Sequence, residues 1–125
     1  MLDTSALMAV LLGEPAGVAC AAVLSSEVRL QISAGTLAEA LIVAGNRGIG
    51  SEMAALVTEG GVEVVPVTAV TAARVAEAYA TWGKGNNPAG LNFGDCFAYV
   101  LALQTGSPLL YAGQDFVRTD VVSAL

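Results

Sequence analysis

The 125-residue chain has no histidine, two cysteines and five basic residues, and each shortage removes a class of chemistry. Without histidine there is no imidazole base, no Ser-His or Cys-His nucleophile pair and no Cys/His set for zinc. Cys20 and Cys96 are too few for a disulfide framework, which leaves them the role of small buried hydrophobes. Arg29, Arg47, Arg74, Lys84 and Arg118 stand against eleven acids, for a net charge of −6. Such a balance gives a poor non-specific grip on a phosphate backbone, so any work on nucleic acid needs positive charge from elsewhere. Long apolar runs are missing too. The longest uncharged stretch, Cys96 to Gln114, is broken by Gln104, Gly106, Ser107 and Pro108, so no spanning helix is expected. No basic region followed by a hydrophobic one precedes Asp3, and the expected location is the cytoplasm. The "GKG" at Gly83 lacks the spacing of a phosphate-binding loop, and "GNRGIG" does not match a dinucleotide fingerprint.

What is present is apolar: 55% of residues are hydrophobic and 13% charged. A chain of this length suits one domain, residues 1–125, and its composition suits a parallel sheet covered on both faces. Short β-rich runs alternate with helical patterns, the mark of βαβ units. Met1 to Asp3, Val28 to Ser33, Val62 to Val67 and Pro108 to Ala112 read as strands. Helices are expected from Ser5 to Pro15, from Pro15 to about Ser26, and from a cap at Ser33 or Thr36 to Asn46. Three more follow: one in "IGSEMAALVTEG", a long one from Thr68 or Thr71 to Trp82, and an apolar one around Asp95. The last segment, "VVSAL", is short and apolar. The fold class is therefore a three-layer α/β/α sandwich around a mainly parallel sheet.

Against this apolar background, four acids stand alone. Asp3 is the only charge before Glu14, Glu39 the only one between Arg29 and Arg47, and Asp95 the only one between Lys84 and Asp115. Asp115 follows the fourth expected strand. Residues just beyond the carboxyl ends of parallel strands converge on one crevice, so these acids can meet. A like-charge pair about 4 Å apart costs roughly 4 kcal/mol at an effective dielectric near 20. Either raised pKa values or a divalent cation must offset that, and an all-oxygen set favours Mg²⁺ or Mn²⁺. The cation reading implies metal-assisted phosphodiester hydrolysis, with water activated on the metal. Each acid also has a plain structural role open to it: capping for Asp3, the helix N-terminus for Asp95, a turn for Asp115. Tyr79, Trp82, Phe93, Phe97 and Tyr99 are expected in the core or an interface rather than as base-stacking platforms.

"LDTSAL", Glu39 in its helix, "AGLNFGDCFAYVLA" and "PLLYAGQDFVRTDV" together resemble the PIN-domain toxins of the VapBC type, from end to end of the chain. The resemblance implies a PIN-like sandwich and a Mg²⁺- or Mn²⁺-dependent endoribonuclease. It further implies a VapB-like antitoxin that blocks the site, an RNA substrate and a homodimer. It assigns Asp3, Asp95 and Asp115 to the metal, with Glu39 completing the shell or positioning the attacking water. Thr4 and Ser5 match hydroxyl positions that support such a shell, and Asp120 matches a less regular fifth acid with a supporting or purely structural role. Two departures stand out: the chain starts two residues before Asp3, which implies either an upstream start or a less firmly held edge of the site. Ala112 stands where relatives often have lysine, so RNA would be held by the metal, Lys84 and Arg118. Two alternatives remain open at this stage: a non-catalytic acidic groove for a basic peptide, and a haloacid-dehalogenase-like phosphatase. "DTS" does not supply the second Asp that the latter requires.

Overall fold

The computed structural model describes residues 1–26 and 29–125, so Val28, expected to open the second strand, lies outside the described residues. Strand β1 (Gln31–Ser33) pairs in parallel with β2 (Glu63–Val65), Ile32 opposite Val64. The chain's first residues continue the ladder on the other side. The Leu2 N–H donates to the Gln31 carbonyl at 2.9 Å, and the Asp3 N–H to that of Leu110 at 3.0 Å. Parallel bridges at Leu2–Leu110 and Leu109–Ser123 complete the order β2, β1, residues 1–3, 109–110 and the segment at Ser123. "VVSAL" thus forms a fifth rung at the edge, an assignment its composition alone does not make.

The strands are shorter than the β-rich runs that announced them, for local reasons. Ser33 leaves β1 by turning its hydroxyl to accept from the Gly35 N–H, so strand passes into helix without a loop. After β2, Pro66 has no N–H to give a ladder.

Six helices cover this sheet among the described residues: α1 (Thr4–Leu12), α2 (Gly17–Leu24), α3 (Ala34–Asn46), α4 (Gly50–Glu59), α5 (Ala69–Trp82) and α6 (Phe93–Thr105). The sequence signals for their ends largely hold. Thr68 caps α5 in a reciprocal box with Thr71, so both residues suggested as its start take part. Helix α2 begins at Gly17 rather than Pro15, because it is bent 111° from α1 and crosses it closely. A Cβ at Gly17 would lie 2.5 Å from the Ala9 carbonyl oxygen. Among the described residues no single helix is long and apolar enough to cross a membrane.

Two buried clusters lie on the two sides of the sheet. One gathers Leu2, Leu7, Ile32, Met53 and Leu110 beneath α1 to α4; the other gathers Val75, Leu91, Tyr99, Leu109 and Phe116 around α5 and α6. Neighbours Leu109 and Leu110 point into opposite clusters, as strand periodicity requires. Cys20 and Cys96 are buried and free, as their scarcity implied. Ile32 is wholly enclosed in β1, so Ile32→Ala should cost about 2–5 kcal/mol, measured as a lower urea midpoint at unchanged m-value.

Candidate active site

Three strand ends and one helix start deliver the isolated acids. Asp3 follows the bridge at Leu2, Glu39 rides on α3 just after β1, and Asp115 follows the strand at Leu109–Leu110. Asp95 sits in the first turn of α6. Asp3 and Asp95 are almost inaccessible, at 3% and 5% exposure, while Glu39 is half-buried and Asp115 exposed.

The two buried acids serve the fold as well as the site. Asp3 caps α1: its Oδ2 accepts from the Ser5 N–H at 3.0 Å and the Ser5 hydroxyl at 2.6 Å. Asp95 forms a capping box with Asn92, each side chain accepting from the other's N–H. The structural roles open to them and their place in the cluster are therefore realised together. Buried without any hydrogen-bond partner, however, is the second Asp3 oxygen, Oδ1.

Burial pushes Asp3 up to about 6, against the Ser5 hydrogen bonds and with help from the charge of Glu39. Asp95 rises to about 7, first through burial, partly opposed by the Asn92 N–H, and further through the charges of Asp3, Asp115 and Glu39. Asp95 thus lies within reach of the charge of the other three acids, and Asp3 within reach of that of Glu39.

Hydroxyls fix two of the carboxylates. Thr4 Oγ1 donates to Glu39 Oε1 at 2.7 Å, linking α1 to α3. The Ser5 hydroxyl donates to Asp3 and accepts from the Ala112 N–H at 3.0 Å, linking α1 to the strand that precedes Asp115. Asp120 is not brought into the group. Its carboxylate accepts from the Tyr99 hydroxyl at 2.7 Å, which accepts in turn from the Trp82 indole at 2.8 Å. Tyr99 lies one helical turn beyond Asp95, and the buried Phe116 carries the chain away from the acids, so Asp120 closes the α5–α6 side instead. Lys84 and Arg118 are both exposed, and the Arg118 guanidinium donates to the Pro88 carbonyl at 3.3 Å, over the loop that holds Lys84. Phe93, expected in the core or an interface, is 68% exposed and meets Phe97 edge-on.

Sequence reasoning missed Asn92 and Gly94. Asn three residues before Asp is a legible capping signal. Gly94 faces the Glu39 carboxylate, a pairing across two helices that no local pattern reveals.

Among the described residues no three His, Cys, Asp or Glu side chains stand close enough to grip a metal as placed. The donor set nevertheless fits a hard cation: all ligands are oxygens, two acids are buried with raised pKa values, and one carboxylate oxygen is unpartnered.

The chain is similar to known proteins along nearly its whole length. The PIN domain family model matches residues 1–122. Ribonuclease VapC30 of Mycobacterium tuberculosis is 41% identical over 126 residues, spanning 98% of this chain and 96% of that protein. Ribonuclease VapC of Mycolicibacterium smegmatis is 40% identical, spanning 98% of both. The crystal structure of Mycobacterium tuberculosis VapC20, described as a sarcin-ricin loop cleaving toxin, superposes with a TM-score of 0.80 at 19% identity. It covers 98% of this chain and 96% of that one, and it shows the shared fold.

The raised pKa values fix the sign of a pH dependence in metal-free protein. Both acids ionise near 3.8 in the ordinary state but near 6 and 7 when folded, so between these values the folded chain binds more protons than the unfolded one. Stability should therefore fall as pH rises from about 4 to about 7. Asp95→Asn should flatten that decline and stabilise the metal-free protein at about pH 8 while changing little near pH 4, as read by urea denaturation at the two pH values.

Proposed function

The chain belongs to the PIN-domain family, in its VapC branch, and from that premise we propose that it is a metal-dependent endoribonuclease, the toxin half of a type II toxin–antitoxin pair. The unpartnered, buried Oδ1 of Asp3 within one cluster of mutually repelling acids is the observation that carries this conclusion. An oxygen in that position wants a cation or a proton, and the other three acids supply the remaining negative charge.

Asp3, Asp95 and Asp115 would hold Mg²⁺ or Mn²⁺, and Glu39 would complete the shell or help position the attacking water. When bound, the ion lowers the pKa of water and neutralises charge on a phosphodiester oxygen. Ser5 and Thr4 keep Asp3 and Glu39 in single orientations, so less of the geometry has to be found during the reaction. Lys84 and Arg118, both exposed and brought near through the Arg118 contact to Pro88, would be cations available to RNA.

A net charge of −6 repels RNA and attracts a basic segment, which suits a VapB-like antitoxin seated over the acids. The exposed Leu41 and Ile42 of α3 offer an apolar face for a second copy of the chain in a homodimer. An RNA substrate implies a cytoplasmic site of action. The PIN fold leaves the dehalogenase-like alternative without support.

Asp95→Asn keeps the capping geometry, because an amide oxygen can still accept from the Asn92 N–H, but removes a charge from the cluster. It should retain its circular-dichroism spectrum and lose Mg²⁺-dependent RNA cleavage to the level seen with EDTA. Wild-type cleavage by that variant would count against the assignment.

A further inference from the structure

We infer that Gly94 and Thr4 are positioning residues that together form a seat for the Glu39 carboxylate, and that this seat sets the metal affinity of the cluster, an inference that rests on the function proposed above. Glu39 projects from the middle of α3 on a side chain with three rotatable bonds, so its helix alone does not fix the carboxylate. Thr4 holds one oxygen, Oε1, from α1. From α6, Gly94 holds the other by absence: a Cβ on Gly94 would overlap Glu39 Oε2 and crowd its Cδ. The carboxylate thus fills the space that any other residue at position 94 would occupy.

Nothing in the backbone calls for glycine there. Gly94 lies inside α6 and is not among the glycines with positive φ, which are Gly13, Gly48, Gly61, Gly85, Gly90, Gly106 and Gly113. At the second position of α6 alanine is at least as good a helix former as glycine, so local propensity does not select glycine there, and the contact with Glu39 gives a reason for it. The three atoms nearest to an added Cβ all belong to the end of the Glu39 side chain. A methyl group at position 94 is therefore accommodated by swinging Glu39 aside, without moving a helix. The fold tolerates the change and the carboxylate loses its place.

The test titrates Mn²⁺ alone by calorimetry into metal-free wild type, Gly94→Ala, Thr4→Ser, Thr4→Val and the double variant G94A/E39D, with thermal unfolding and RNA cleavage followed on the same samples. Gly94→Ala should unfold at the wild-type temperature or above it, since alanine is the better helix former, yet bind Mn²⁺ about 10–100-fold more weakly. In G94A/E39D the shorter acid clears the methyl group, so part of the lost affinity should return. Thr4→Ser keeps the donor and should bind nearer to wild type than Thr4→Val, which loses it. Wild-type Mn²⁺ affinity in Gly94→Ala would overturn the inference. If that variant fails to fold, equal affinities of the Ser and Val variants at position 4 would overturn it instead. A wild type that binds no Mn²⁺ would remove the proposed function, and the seat with it; intact binding with an indifferent Gly94→Ala would remove the seat alone.

Discussion

Two carboxylates that water would solvate well are held in the interior of this protein, within reach of each other's charge and of two more acids. Burial is the largest contribution to the upward shift of both, and like-charge repulsion adds to it. Each buried acid also takes part in capping a helix, which offsets part of the cost of burying it. Asp3 receives two donors from Ser5, and Asp95 receives the Asn92 N–H while standing at the positive end of α6. The same bonds that make burial tolerable fix the orientation of the carboxylates. Fold and site are thus joined at the same atoms, and neither can be altered without the other responding.

The sheet supplies the rest of the geometry. Strands that all run in parallel release their chains on one side, and the acids after residues 2, 33 and 110 follow from that polarity. Short strands help, because Ser33 turns at once into α3 and brings Glu39 in on its second turn. Hydroxyls then cross between elements, Thr4 to α3 and Ser5 to the strand before Asp115. The acids are braced by hydroxyl and backbone N–H donors rather than by ion pairs; among the described residues the two salt bridges, Arg29–Glu63 and Arg74–Glu77, involve none of them.

The four acids were legible in the sequence because charge is rare in it, so an isolated carboxylate within an apolar run has few structural excuses. Caps were legible for a similar reason: Ser33 and Thr68 are polar residues at the edges of hydrophobic periods. Legibility failed where the determining contact joins distant segments. Asp120 follows Asp115 closely and has the right chemistry, yet Tyr99 and Trp82 claim it. Gly94 looks like a weak helix residue until Glu39 is seen against it, and the edge strand at Ser123 is recognised only through Leu109. Helix α2 starts late because of a crossing with α1 that no residue of "GEPAG" announces.

The Ser5 hydroxyl bonds to the Ala112 N–H, a partner 107 positions along the chain. A polypeptide leaving the ribosome N-terminus first therefore exposes its first acid long before the segment that pins it has been synthesised. Until the strand at Leu109–Leu110 docks beside residues 1–3, Ser5 lacks its partner at Ala112 and Asp115 has no place to stand. Assembly of the acid cluster is consequently among the last events of biogenesis, and a nascent or truncated chain carries the letters of a nuclease without its working geometry.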